Sequence, residues 1–516
     1  MAMMKKKTAR ILRFTLMIAV LIWWGVMLYS LIEKNKGLEP VEIPDINVVE
    51  AGEILSEDYY SITFRGEKIG FSTQIKRRLQ TGQLMYQESS FYRLPVGGVE
   101  HEVISQSVLT VDDSLRTQVL TFDFSADNYE TSVNAVVDSA SIRVSVESAQ
   151  GVFTEEYPIE NAIYSSAVIP EILARRGFPV GQFELSTFDP LTSSERKFTV
   201  QVLGDDRLER FGSRKVKVVK LSYGQLSSRL FIDTTGVLLM ENSAEGFMSV
   251  HEDKETALSL DMRTGGSRDL LDEFALPLGM GVIERPRDAV EVVISIENLS
   301  PGIFALDDFN QIWDSEKELL AIKSSGWESR LDYSPPDTLD LAETSMIQCK
   351  DRRIISAAEK ASKGAEDDLE RLIAINEHLF KNIKKGHTLS IPSAIDVLQK
   401  MRGDCNEHTI LFTAMARALD IPARMNVGLV YLDGYYYYHA WPQAFAGGRW
   451  HSFDPTLGQY PADAAHIKLT SGSLDEYLAL LRMGDARMKL VSVKYSDGEV
   501  YETELVKEER DGDDGN

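Results

Sequence analysis

From about Tyr59 to Met262 one strand pattern follows another. SITFRGEKIGFSTQI, SQSVLTVDD, SIRVSVES, KFTVQVLG, KVKVVKLSYG and SRLFIDTTGVLLMEN alternate in polarity or run through β-branched residues. Strand side chains point to opposite faces in turn, so this alternation is the mark of a half-buried sheet. The RGEKIG and DTTG stretches have the composition of hairpin turns. One helical piece, around Ala167–Arg176, interrupts the series. A sheet this long with so little helix predicts a half-barrel or curled sheet.

The N-terminus has a different character. Phe14–Ile32 holds 19 residues without a charge. A helix needs roughly 20 apolar residues to cross the hydrocarbon core of a bilayer. A cleaved signal peptide has an apolar region of about 7–15 residues and a small-residue cleavage site. YSLIEKNK follows here with no such site, so the reading is an uncleaved anchor; a cleaved signal is the alternative. Lys5, Lys6, Lys7, Arg10 and Arg13 precede the stretch, which favours a cytoplasmic N-terminus and places the remaining chain outside the membrane.

Charge bounds the partners. Of 55 basic residues, 5 lie in the first 32 positions, whereas all 79 acidic residues come later. A body that acidic repels a phosphate backbone, so nucleic acid is excluded as a partner. An exported protein with only 2 cysteines does not rely on disulfides, and a lone thiol there calls for a reason.

Residues 33–58 form a polar stalk. Residues 263–350 read as a linker with accessory strands, DAVEVVISIENL at 288–299 being one. Helical spacing then sets in, with Leu369, Leu372, Ile373, Ile375 and Leu379 on one side. A short helix, SLDEYLALLRM, and two strands follow within 471–506, and KEERDGDDGN at 507–516 is an acidic tail.

Cys405 lies in RGDCNEHTIL, after Gly403-Asp404 and ahead of Phe412, Met415, Ala416 and Leu419 at helical spacing. Asp404 is the expected N-cap, which puts Cys405 in the first turn. Backbone dipoles there favour an anion, so the thiol pKa is expected to fall. MNVGLVYL, the Asp433-Gly434 turn, YYYYHAWPQAF, the Gly447-Gly448 turn and RWHSFDPT read as three strands. A two-residue turn at Gly447-Gly448 sets Asp454 opposite Trp441, on the face that His439 shares. His439 and Asp454 are then one diagonal step apart, within side-chain reach. Other readings of Cys405 stand beside a nucleophile: a buried structural residue, a disulfide with Cys349, or a zinc ligand with His408. His408 has no evident orienting acid. Gln399 is either an oxyanion donor or a plain polar helix position. Tyr435–Tyr438 and Trp441 either wall a groove or are ordinary strand aromatics.

GDCNEH at 403–408, RALDIPAR at 417–424, HAW at 439–441 and WHSFDPT at 450–456 resemble the transglutaminase-like superfamily, over roughly residues 350–470. One departure is Asp420, where that family more often has Gly. The sheet segment in turn looks similar to the sheet domains of bacterial periplasmic lipoprotein-handling proteins. The implied architecture is α+β: a transmembrane helix within 1–32, a linker at 33–58, a β-rich curled-sheet domain at 59–262, and a papain-like, transglutaminase-like catalytic domain at 351–470. By this resemblance Cys405 is the nucleophile, His439 the general base and acid, and Asp454 the group that orients His439. The implied function is a membrane-anchored cysteine acyltransferase or peptidase with its bulk on the periplasmic or extracellular side. It acts on amide bonds of protein or peptide substrates, more by hydrolysis than by cross-linking, with no metal and no organic cofactor. The competing class is an idle binding or assembly module of the cell envelope.

Overall fold

Hairpin turns decide the first half of the chain. The computed structural model describes residues 52–503 apart from 127–128, 149–150, 190–193, 224–225, 244–245, 260–268, 270–272, 300–303, 305, 331–333, 389–391, 473–482 and 484–485. The expected anchor Phe14–Ile32, the helix SLDEYLALLRM up to Arg482 and the acidic tail lie outside the described residues. No helix of the described residues is long and apolar enough to cross a membrane.

Strands β1 (Gly52–Phe64), β2 (Glu67–Leu79), β3 (Leu84–Val96), β4 (Val99–Val111), β5 (Thr117–Ala126), β6 (Tyr129–Val137), β7 (Ser141–Ser148) and β8 (Gly151–Pro158) follow one another as antiparallel neighbours. So do β9 (Gly181–Asp189), β10 (Ser194–Leu208), β11 (Arg214–Tyr223), β12 (Leu226–Asp233), β13 (Leu238–Ser243) and β14 (Phe247–Glu252). β14 pairs with β1, for example Tyr60 with His251, and joins the two runs into one sheet of 14 strands with β8 and β9 at its ends. Helix α1 (Ile169–Arg175), preceded by a single 3-10 turn at Ser166–Val168, is the expected interruption. Its Ile169, Ile172 and Leu173 are buried with Val168, Phe198, Val200 and Ile232 against the inner face of the sheet.

The rest of the chain packs helices against a second sheet. Its strands are β15 (Leu276–Gly279), β16 (Ala289–Glu297), β17 (Gln311–Asp314), β18 (Leu319–Lys323), β21 (Ala423–Leu432), β22 (Tyr435–Ala446), β23 (Arg449–Ser452), β24 (His466–Gly472), β25 (Arg487–Tyr495) and β26 (Val500–Glu502). Two-residue strands β19 (Lys384–Lys385) and β20 (Arg402–Gly403) pair separately. The stretch read as a linker from 263 thus supplies β15, which pairs antiparallel with β22 and parallel with β25. Four residues with Pro277 and Gly279 read as a break in sequence, and only the pairing makes them a strand.

Helices α2 (Arg352–Ala361), α3 (Asp368–Asn382), α4 (Ala394–Lys400) and α5 (Cys405–Arg417) cover this sheet. Leu372, Ile375 and Leu379 of α3 are fully buried, as their spacing predicts. The shared core joins Ile410, Phe412 and Met415 of α5 to Val427, Leu429, Ala440, Ile467 and Leu469 of β21, β22 and β24. Apolar burial of that kind is worth about 25 cal/mol per Å², so it holds α5 firmly on the strands that carry the site.

Candidate active site

Cys405 begins α5, and the local sequence fixes that start. Asp404 is the N-cap: its Oδ1 accepts from the Asn406 N–H at 3.0 Å. Glu407 answers by accepting from the Asp404 N–H at 2.8 Å, which completes a capping box. The Thr388 hydroxyl donates to Glu407 at 2.7 Å and locks the acid in place. A Cβ on Gly403 would fall 2.3 Å from Glu407 Cγ, so only glycine fits beneath the box. The D-x-x-E spacing at 404–407 is the signal that assigns Glu407 a structural role. Asn406 accepts from the Tyr438 hydroxyl at 3.0 Å and ties α5 to β22.

The expected Gly447-Gly448 register is the one observed. Ala446 pairs with Arg449, and Gln443 with Ser452. His439 Nε2 donates to Asp454 Oδ2 at 2.9 Å, with both side chains buried. The other Asp454 oxygen accepts from the backbone N–H groups of Thr456 and Leu457, each at 2.8 Å. Nδ1 is the His439 nitrogen left over from Asp454. The Ala440 N–H, next along the chain, donates to the Cys405 sulfur.

His466 extends the cluster beyond what the sequence singled out. Its Nε2 donates to the same Asp454 oxygen at 3.1 Å, and its Nδ1 donates to Asp463 at 2.8 Å. Trp441 packs over the pair, stacked on His439 at 6.0 Å between centroids and edge-on to His466 at 5.2 Å. Its indole N–H donates to the Ser452 hydroxyl at 3.0 Å. Gly428 pairs with His439, and a Cβ there would meet the Ile467 carbonyl oxygen at 2.0 Å and the Trp441 ring at 2.9 Å. The Gly428→Ala variant is therefore expected to lose about 1–3 kcal/mol in thermal or urea unfolding, because the backbone oxygen cannot yield as a side chain would.

Electrostatics differ from the sequence expectation at the thiol. Burial pushes the Cys405 thiol well above its usual value, and the Asp404 carboxyl adds to the rise, while the Ala440 N–H pulls the other way. Burial outweighs the helix-terminus dipoles, and the capping acid Asp404 adds to it. Burial and the neighbouring Glu407 push Asp404 itself well above the carboxylate range. For Asp454 burial acts upward, but His439 and His466 outweigh it and hold the carboxyl well below its usual range. For His466 burial acts downward, and the carboxylates of Asp463 and Asp454 reverse this, lifting it to about 10.

The remaining candidates fall into place. Both cysteines are free and buried, so Cys349 and Cys405 do not form a disulfide. Gln399 is exposed on α4, as a plain polar helix position would be. His408 is buried with Nδ1 on the Asp404 carbonyl oxygen, and burial lowers its pKa. Among the tyrosines at 435–438, Tyr435 is exposed and Tyr436 fully buried, while Tyr438 reaches α5. Asp420 adopts a left-handed backbone with φ of 58°, the conformation for which glycine is the common choice. His439, Asp454 and His466 present donor atoms within 4.8 Å of one another, a span a metal ion could bridge. A cation there would first have to displace the proton that two carboxylates hold on His466.

Residues 355–455 match the family described as the transglutaminase-like superfamily, a stretch that includes Cys405, His439 and Asp454. No curated protein matches the chain. A solved candidate cysteine protease from Cytophaga hutchinsonii is 18% identical and covers 41% of this chain and 85% of its own, with a TM-score of 0.25. A β-barrel-like domain of unknown function from Brucella abortus is 11% identical and covers 40% of this chain and 98% of its own, with a TM-score of 0.31.

Proposed function

We propose that this chain, which carries a transglutaminase-like domain at residues 355–455, is a thiol acyl-transfer enzyme acting on amide bonds of proteins or peptides. The observation that carries the reading is the buried His439–Asp454 hydrogen bond on the strands against which the Cys405 helix packs. In the proposed cycle the Cys405 sulfur attacks the amide carbon while His439 takes the thiol proton through Nδ1. The backbone N–H of Cys405 steadies the oxyanion. The carbon–nitrogen bond then breaks, and His439 returns the proton to the leaving amine. Water attacks the thioester, releasing an acid and restoring the thiol. An amine in place of water gives a cross-link, but water is the abundant acceptor. Asp454 keeps the His439 ring aligned throughout. Phe14–Ile32 anchors the enzyme in the membrane with its catalytic body outside the cytoplasm.

A second reading has one observation in its favour. The resting thiol is held high by burial and by Asp404, as in a binding module whose triad is idle. The test is to incubate the protein with a pool of synthetic peptide amides, with and without hydroxylamine, and follow the products by mass spectrometry. Acids in water and hydroxamates with hydroxylamine, both absent in Cys405→Ala, are the expected result. Equal product from Cys405→Ala, or none from the native chain, supports the idle module. Loss of product on adding a chelator would move the chemistry to the His439, Asp454 and His466 cluster.

A further inference from the structure

Across strands β1 to β5, part of the inner face of the curled sheet is polar where a barrel interior calls for apolar residues. Two neighbouring rows cross the strands in register. One runs Asp58, Gln74, Glu88, Ser107 and Phe122, from β1 to β5. The other runs Tyr60, Ser72, Ser90 and Ser105. Small serines leave room in the middle of the sheet, and a cavity of about 800 Å³ lies there. A buried-water site takes roughly 30 Å³ per molecule, whereas small-molecule pockets span about 300–1,000 Å³. Apolar residues complete the lining: Leu109 and Leu120, two positions along from Ser107 and Phe122 on the same strands, with Val137, Ile142 and Phe188. α1 and the turn at 234–238 border the space.

The charges on this wall are not balanced evenly. Glu171 at the rim takes Lys76 and the Tyr86 hydroxyl, and Arg175 at 2.5 Å. Asp58 is paired with His251 at 3.1 Å. Among the described residues Glu88 has no ion pair: it accepts from the Ser72 hydroxyl at 3.1 Å and the Ser90 hydroxyl at 3.4 Å. Two tyrosines, Tyr60 and Tyr92, line the space beside it.

We propose that the curled sheet holds a binding site for a primary amine carried on an apolar body, with Glu88 receiving the ammonium group and the Leu109–Phe122 wall covering the body. Burial pushes the Glu88 carboxyl up, so an arriving cation meets a buried carboxyl with no ion partner among the described residues. Hydroxyl and phenol groups around Glu88 supply acceptors for the remaining ammonium hydrogens. The proposal is independent of the thiol chemistry.

The experiment is a calorimetric titration of the full-length protein with 4-phenylbutylamine, alongside 4-phenylbutanol and 4-phenylbutyrate, which differ only in the head group. The amine is expected to bind saturably, one per chain, and both other compounds more weakly by about tenfold or more. Glu88→Gln is expected to lower amine affinity on the order of tenfold to a hundredfold, with its melting temperature kept as a control for folding. Ser107→Phe keeps the carboxyl but fills the space beside it, and is expected to lose binding as well. No saturable heat with the amine would make this a solvent-filled cavity and overturn the proposal. A preference for the butyrate, or full affinity in either variant, would overturn it too.

Discussion

Under the proposed thiol mechanism Cys405→Ala is expected to lower acyl transfer by at least about four orders of magnitude, and His439→Ala by a similar factor, because members of such a triad act as a unit. The pH dependence carries more information than the loss itself. A thiol stabilised only by a helix terminus would be a resting thiolate, reacting evenly across neutral pH. Here burial and Asp404 hold the proton on sulfur. Iodoacetamide alkylation of Cys405 in a Cys349→Ala background is therefore expected to be slow at pH 7 and to rise steeply above the ordinary thiol value of about 8.5. In the proposed cycle His439 takes the proton as the substrate arrives, so His439→Ala is expected to cost turnover far more than it changes alkylation. A flat alkylation rate between pH 5 and 8 that His439→Ala abolishes would mean a standing thiolate–imidazolium pair, and would sink this account of the resting site.

Much of this site was legible because its parts are governed by local rules. Asp404 caps a helix wherever an aspartate precedes an apolar helical run, and Cys405 follows it by one position. His439 and Asp454 meet because a glycine pair at 447–448 fixes the register and strand periodicity does the rest. The curled sheet was visible in its alternation, and α1 in its own spacing. What escaped depends on non-local placement. The sign of the Cys405 shift needs the depth of burial and the nearness of Asp404, and neither is written in residue order. β15 is four residues long and earns its place only by pairing with two strands far away in sequence. The cavity needs knowledge of which face of each strand turns inward, since Ser and Glu at alternate positions otherwise read as a solvated face. His466 comes twelve residues after Asp454, past a loop whose Asp454-Pro455, Gly458 and Pro461 mark turns but set no strand register.

His466 gives the second large effect, in stability. Its imidazole lies between two buried carboxylates, Asp454 at 3.1 Å and Asp463 at 2.8 Å, and its pKa is lifted to about 10. An unfolded histidine titrates near 6.5. Between those values the native chain binds a proton that the unfolded chain does not, so stability falls as pH rises. The contribution is complete below about 6.5 and is lost as pH climbs through the folded value; over that span it is on the order of several kcal/mol. Asp454 behaves in the opposite sense. Its depressed pKa gives stability that is present above about 3.9 and lost only in strong acid. Urea unfolding of the full chain between pH 6 and 10 is the measurement. The native protein is expected to weaken steadily across that range. His466→Gln, which keeps hydrogen-bond capacity and removes the charge, is expected to be weaker by about 3–5 kcal/mol at pH 7, because two carboxylates then lose their shared cation. Its slope from pH 7 to 9 should be markedly shallower than that of the native chain. A native profile already flat over that range would mean that His466 is neutral, and the Asp454 carboxylate would then owe its ionisation to His439 and the backbone N–H groups of Thr456 and Leu457 alone.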